Sequence, residues 1–156
     1  MKSYDMRQQL KKGEAAERYL DSLFSDEFDI RPATRLQQRQ GIDRIFTRRS
    51  DGREYRIEYK ADKTAARTGN AFVETVSVDT YSKPGWAYTC RSDYIFYYVV
   101  RDGPVYILKP ADIKRCLDRW AAQYEKRRIP NNGYHTEGLL VPLDEFEKMA
   151  IQIVSG

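Results

Sequence analysis

The residues between Arg53 and Lys60 alternate strictly between apolar and charged side chains, which is the period of a β-strand. One face of this strand carries Tyr55, Ile57 and Tyr59, and the other carries Arg56, Glu58 and Lys60. An acid and an ammonium group, Glu58 and Lys60, are therefore predicted to project side by side.

A second alternating run over residues 42–48 precedes this strand, and Ser50-Asp51-Gly52 between the two runs is typical of a hairpin turn. An antiparallel hairpin would bring Asp43, near the start of the first strand, level with Glu58 and Lys60. The alternative is a solvated strand face whose charges have no further role.

Apolar residues recur at helical spacing between Met6 and Phe24, which predicts an N-terminal helix. Glu17 lies on the line of Gly13, Leu20 and Phe24, on or beside the side expected to face the core. A carboxylate there needs an ion-pair partner or a metal, because burying it alone is costly. It could also be a surface acid paired with a lysine or arginine, whereas Glu14 is expected to face solvent.

Two carboxylates and one ammonium suit a hard divalent cation that activates water beside a phosphodiester. We expect Mg²⁺, with Mn²⁺ as a substitute, and we expect Lys60 to position the water and neutralise developing charge. Zinc suits the chain poorly, because Cys90, Cys116 and His135 are far apart in the sequence.

Three motifs in this order, Lys12-Gly13-x-x-x-Glu17-Arg18, Gly41-Ile42-Asp43 and Glu58-Tyr59-Lys60, resemble the PD-(D/E)XK nuclease superfamily. Over residues 12–60 the chain is most similar to archaeal Holliday-junction resolvases, although Ile42 replaces a frequent proline. Later segments around residues 69–74, 83–86 and 92–95 resemble nucleases encoded by phages and prophages.

The resemblance implies an α/β domain with a restriction-endonuclease-like core, a central mixed β-sheet flanked by helices. It implies metal ligands at Asp43, Glu58, the main-chain carbonyl of Tyr59 and Glu17, with catalytic roles for Asp43, Glu58, Lys60 and Glu17. Resolvases act as dimers, so a homodimer is one assembly that the resemblance raises.

The distribution of charge favours DNA as a partner. Residues 1–67 hold 16 Lys and Arg against 12 Asp and Glu, while residues 68–156 hold 11 of each. The whole net charge of +4 therefore lies with the motifs, where it would attract a phosphate backbone. The expected DNA-binding residues are Lys63, Arg67, Thr68, Asn70 and Arg39, although the segment after Lys60 could equally be a plain connection.

The remaining pattern predicts an apolar run over residues 71–78, in which Glu74 is either a further site acid or a residue paired at the edge of the core. Residues 93–100 are predicted to form a central strand, with a hairpin into residues 105–108. A helix is expected from Pro110 to about Arg128, then a loop that is marked by Asn131-Asn132-Gly133 and contains His135, and a short helix from Pro142 through Met149. Most of the twelve tyrosines are expected in the core.

A chain of 156 residues with 41% hydrophobic residues is expected to form a single domain over residues 1–156. No segment has the apolar length of a membrane span or the pattern of a signal peptide, so we expect a cytoplasmic protein without a membrane partner.

The sequence thus predicts a Mg²⁺-dependent deoxyribonuclease that selects DNA structure or ends rather than a base sequence. The alternatives are a catalytically inactive nucleic-acid-binding module on the same scaffold, and a structural or inhibitory phage protein.

Overall fold

Strands and helices alternate along residues 2–155, which the computed structural model describes, with side chains described from Gly13 onward. The helices are α1 (Lys2–Phe24), α2 (Arg35–Arg39), α3 (Ala65–Thr68), α4 (Trp86–Thr89), α5 (Pro110–Gln123) and α6 (Leu143–Met149). The strands are β1 (Phe28–Pro32), β2 (Arg44–Arg48), β3 (Glu54–Asp62), β4 (Asn70–Val78), β5 (Lys83–Pro84), β6 (Tyr94–Val99), β7 (Val105–Leu108), β8 (Lys126–Pro130), β9 (His135–Pro142) and β10 (Gln152–Val154).

The central sheet has the strand order β1-β2-β3-β6-β7-β10. Strands β2 and β3 form the expected antiparallel hairpin, in which Arg44 lies opposite Ile57. Strand β3 then pairs in parallel with β6, and β6 pairs antiparallel with β7. The prediction of an α/β protein with a mixed central sheet flanked by helices is confirmed, as is the central position of the strand near residues 93–100.

Helix α1 covers one face of the central sheet. Its buried residues Ala16 and Leu20 pack against Phe46, Ile57 and Phe96 of three neighbouring strands. The apolar positions predicted at Met6 and Leu10 belong to the part of α1 whose side chains lie outside the described residues. The core-facing side of the helix is therefore confirmed for its C-terminal half.

The opposite face of the central sheet is covered by a second, antiparallel sheet with the order β5-β4-β9-β8, together with α5 and α6. Helix α5 starts at Pro110 and buries Ile113, Leu117 and Trp120, a spacing that keeps one side of a helix apolar. Glu145 of α6 accepts hydrogen bonds from the Trp120 indole at 2.9 Å and from a guanidinium of α5 at 2.7 Å. These bonds fix the two helices to each other.

The helix predicted from Pro110 to about Arg128 is too long. Helix α5 ends at Gln123, because Tyr124 has an extended backbone and donates its hydroxyl to Glu145. The following residues form β8, which pairs with β9 through main-chain hydrogen bonds. His135, expected in a loop, is the first residue of β9.

Several elements of the structure lack a counterpart in the sequence prediction, namely β1, α2, α3, β5, α4, β9 and β10. Helix α2 begins at a capping box, in which the Thr34 hydroxyl accepts from the Gln37 N–H and the Gln37 side chain accepts from the Thr34 N–H. Within residues 2–155, no helix is both long and apolar enough to cross a membrane.

Candidate functional site

The hairpin β2–β3 brings Asp43 and Glu58 together. Asp43 precedes β2, and its N–H donates to the Ile57 carbonyl at 2.8 Å. Its Oδ2 accepts from the Tyr59 N–H at 2.8 Å, so the carboxylate lies against β3 at the level of Glu58. The two carboxylates are close enough for a side-chain hydrogen bond between them when one is protonated.

Glu58 is deeply buried, with only 6% of its surface exposed, because its side of β3 faces the second sheet rather than solvent. Burial raises the pKa of Glu58 to about 8, the Lys60 ammonium opposes this rise, and the neighbouring Asp43 carboxylate adds to it. A solvated strand face does not describe this residue.

Lys60 lies between an acid and an aromatic ring. Its Nζ is 3.6 Å from Glu58 Oε1 and 5.7 Å from the centre of the Trp86 ring in α4. These two contacts hold the ammonium on the side of the sheet where the carboxylates lie.

Glu74 of β4 approaches Lys60 from the second sheet. Burial raises the pKa of Glu74, while the charge of Lys60 and a hydrogen bond from the Trp86 N–H lower it. Gly85 allows this contact, because a Cβ there would be 2.4 Å from the Glu74 carbonyl oxygen. The sequence offered Glu74 as one of two alternatives and gave no sign that Trp86 reaches Lys60.

Glu17 lies on the other side of the central sheet and is held by an arginine. Its Oε2 is 3.2 Å from Nη2 of Arg44, whose Nε is 3.1 Å from Asp21 Oδ1. The same guanidinium donates to the main-chain carbonyl of Asp43 at 3.1 Å and lies over the Tyr59 ring. Glu17 is therefore linked to Asp43 through Arg44 rather than placed beside the Glu58 carboxylate.

The main chain of Tyr59 faces the segment just before the start of β2. Its N–H donates to Asp43, and since N–H and C=O of one strand residue point to the same side, its carbonyl points past the start of β2. The Tyr59 ring lies on the α1 side, where its hydroxyl donates to Asp21 at 2.8 Å. The carbonyl is thus on the same side of β3 as the Asp43 carboxylate.

Gly41 packs closely against Cys90 and the Glu58 carboxylate. It has a φ of +76°, a conformation that glycine adopts readily. A Cβ at this position would be 3.0 Å from Cys90 Cα and 3.3 Å from Glu58 Oε2. A side chain here would push against the Glu58 carboxylate itself.

The side chains around Asp43 and Glu58 offer few ligands for a divalent cation. Among residues 13–155, no group of three or more His, Cys, Asp or Glu side chains is close enough to hold a metal, so a cation at this site would take two carboxylates, a main-chain oxygen and waters. This set suits Mg²⁺, which keeps several waters in proteins. The Cys90 thiol fits zinc poorly, since burial raises its pKa and it contacts Ser92 at 3.0 Å.

The residues expected to bind DNA fall into two places. Lys63, Arg67 and Thr68 are exposed around α3, beyond the end of β3, and Asn70 starts β4. The Thr68 hydroxyl accepts from the Asn70 N–H at 3.1 Å and so supports the turn itself. Arg39 is exposed at the end of α2.

Comparisons with models of protein families, with curated proteins and with solved structures gave no match to this chain.

Proposed function

We propose that this chain is a Mg²⁺-dependent deoxyribonuclease with a restriction-endonuclease-like core of the PD-(D/E)XK type. The observation that carries the proposal is the placement of Asp43, Glu58 and Lys60, two adjacent carboxylates with an ammonium 3.6 Å from the buried one. The antiparallel pairing of β2 with β3 and the parallel pairing of β3 with β6 support the same conclusion.

In this proposal Asp43, Glu58 and the carbonyl of Tyr59 hold the cation. A bound Mg²⁺ supplies Lewis acidity and lowers the pKa of a coordinated water. Glu58 favours a cation strongly, because a buried carboxylate beside a second carboxylate is stabilised either by a proton or by added positive charge. Affinity for Mg²⁺ should therefore rise with pH up to about 8.

Lys60 would orient the attacking water and neutralise charge on the phosphate in the transition state. The contacts of its ammonium with Glu58 and Trp86 limit the positions that the group can take. Glu17 would act through Arg44, by holding the guanidinium that binds the Asp43 carbonyl. Its proposed role as a direct metal ligand requires its carboxylate to leave Arg44.

Cleavage of labelled linear, circular and branched DNA by the purified chain tests the proposal. We expect activity with Mg²⁺ or Mn²⁺, little with Ca²⁺ and none in excess EDTA. Glu58→Gln and Lys60→Ala should each lower the rate by about 100-fold or more. Glu54→Gln is the matched control, because Glu54 lies on the same strand but is exposed and pairs only with the exposed Arg31 among the described residues.

Full activity of Glu58→Gln, or undiminished cleavage in EDTA, would contradict the proposed chemistry. Binding of DNA without cleavage under all metal conditions would instead favour the alternative of an inactive nucleic-acid-binding module.

A further inference from the structure

A polar cleft of about 520 Å³ opens beside the candidate site, between the end of α2, the end of α4 and the side of α5. We call it the basic cleft. Its lining residues are Arg39, Gln40, Tyr88, Thr89, Arg91 and Lys114. Three of these six side chains are cationic and none is acidic.

The basic cleft is joined to the carboxylates by one residue on each side. The Arg91 N–H donates to the Gln40 carbonyl at 2.9 Å, which ties the two walls together. The next residues inward, Gly41 and Cys90, are in close contact, and a Cβ on Gly41 would be 3.3 Å from Glu58 Oε2. The basic cleft and the Glu58 carboxylate are therefore separated only by the contact between Gly41 and Cys90.

The cations of the basic cleft are not neutralised by the protein. Over residues 13–155, neither Arg39, Arg91 nor Lys114 has a carboxylate oxygen within 4.0 Å. The exposed cations of β8 differ, because Lys126 and Arg128 both pair with Glu137. The cleft thus concentrates uncompensated positive charge where a phosphate chain would need it.

Tyr88 adds an aromatic surface to this charge. Most tyrosines of the central sheet are buried, whereas Tyr88 is 51% exposed at the cleft. An exposed ring among cations is the arrangement on which single-stranded nucleic acids stack their bases. Bases within a duplex already stack on one another, so an exposed ring at this position favours an unpaired base.

From these contacts we propose that the basic cleft binds unpaired nucleotides of the DNA strand that is cut at the carboxylates. The statement that this strand is cleaved rests on the proposed nuclease function, whereas binding of the strand does not require cleavage. The substrates would be single-stranded ends, flaps or branches, in which unpaired bases adjoin the scissile phosphodiester.

Fluorescence anisotropy tests the binding step in the Glu58→Gln background, where cleavage is suppressed. The probes are a fluorescein-labelled oligothymidylate and a labelled, blunt-ended DNA duplex without unpaired bases. We expect Tyr88→Ala to weaken binding of the oligothymidylate about tenfold and binding of the duplex much less. Tyr88→Phe should retain the affinity, because it keeps the ring.

Salt dependence tests the charge of the cleft. Arg91→Ala and Lys114→Ala should each weaken binding and lower the slope of log K against log[salt] by about 0.7 per lost phosphate contact on a single strand. The matched control is Arg127→Ala, which removes an exposed cation from β8 that pairs with Glu125. Thermal unfolding should be unchanged in all of these surface variants.

Equal loss of affinity for both probes in Tyr88→Ala would overturn the assignment to unpaired nucleotides. An Arg127→Ala effect as large as that of Arg91→Ala would show general attraction and overturn the cleft as the binding site. Failure of the proposed function would appear separately, as absence of cleavage by the unmutated chain with Mg²⁺ while the anisotropy differences persist.

Discussion

Replacing Glu58 by glutamine should stabilise the metal-free protein at alkaline pH. The folded pKa of Glu58 is raised from 4.5 to about 8, mainly by burial, so the folded state holds a proton that the unfolded state releases. The stability associated with that proton is fully present below pH 4.5 and is lost as pH rises to about 8. The difference between the two pKa values corresponds to about 5 kcal/mol, an upper bound for the cost of ionising Glu58 in place.

Glutamine avoids this cost but removes the attraction to Lys60, so we expect a gain of about 2 to 4 kcal/mol at pH 9 and little gain at pH 5. For a chain of this size such a gain raises the midpoint of thermal unfolding by about 5 to 15 °C. Thermal unfolding in EDTA at both pH values measures it, with Glu54→Gln as the control on the same strand. Mg²⁺ should then stabilise the unmutated chain more than Glu58→Gln. A difference between the two proteins that is the same at pH 5 and pH 9 would refute the reasoning.

Three further changes test other parts of the structure. Gly41→Ala and Gly52→Ala both place alanine at a positive φ, which costs about 1 kcal/mol. Only Gly41→Ala should also lower cleavage, because its Cβ would press on the Glu58 carboxylate, while a Cβ at Gly52 meets nothing within 4 Å. Equal effects of the two changes in unfolding and cleavage assays would contradict this. Glu17→Gln should lower the cleavage rate and Mg²⁺ affinity more than Glu14→Gln, since Glu17 pairs with Arg44 at the site and the exposed Glu14 does not. The reverse order in calorimetric titration would show that this ion pair is irrelevant. Glu145→Ala should lower the free energy of unfolding by about 2 to 4 kcal/mol, because it leaves the buried indole N–H of Trp120 without its acceptor. Arg119 lowers the pKa of Glu145 to about 2, so the loss of stability should be largest above pH 5. Chemical denaturation at pH 3 and pH 7 measures the change, and no loss at pH 7 would contradict it.

The local part of the candidate site could be predicted from the sequence. A period of two and a turn signal are properties of neighbouring residues, so the hairpin followed from them, and with it the approach of Asp43 to Glu58. The short helix near residue 143 also has a local cause, the proline at its start.

The rest of the site depends on pairing between distant segments. Arg127 and Arg128 fit the end of a helix as well as a strand, and the antiparallel pairing with β9, the next strand along the chain, decides for the strand. The choice of Arg44 as partner of Glu17 spans 27 residues, and the contact of Trp86 with Lys60 requires the second sheet to be in place. These contacts leave no periodic signal in the sequence.

The second sheet also sets the order in which the chain can acquire its chemistry. Its strands β4 and β9 align Asn70 with Pro142, so the contact closes a loop of 72 residues (142 − 70). Pairings that distant form late, because the chain entropy of loop closure is lost before the contact is gained. During synthesis, the cover over Glu58 and Lys60 is therefore incomplete until residues through Pro142 have emerged. In a nascent chain these charged groups would lie in water, and Glu58 would have an ordinary pKa near 4.5 in place of the value of about 8 that it has in the folded protein.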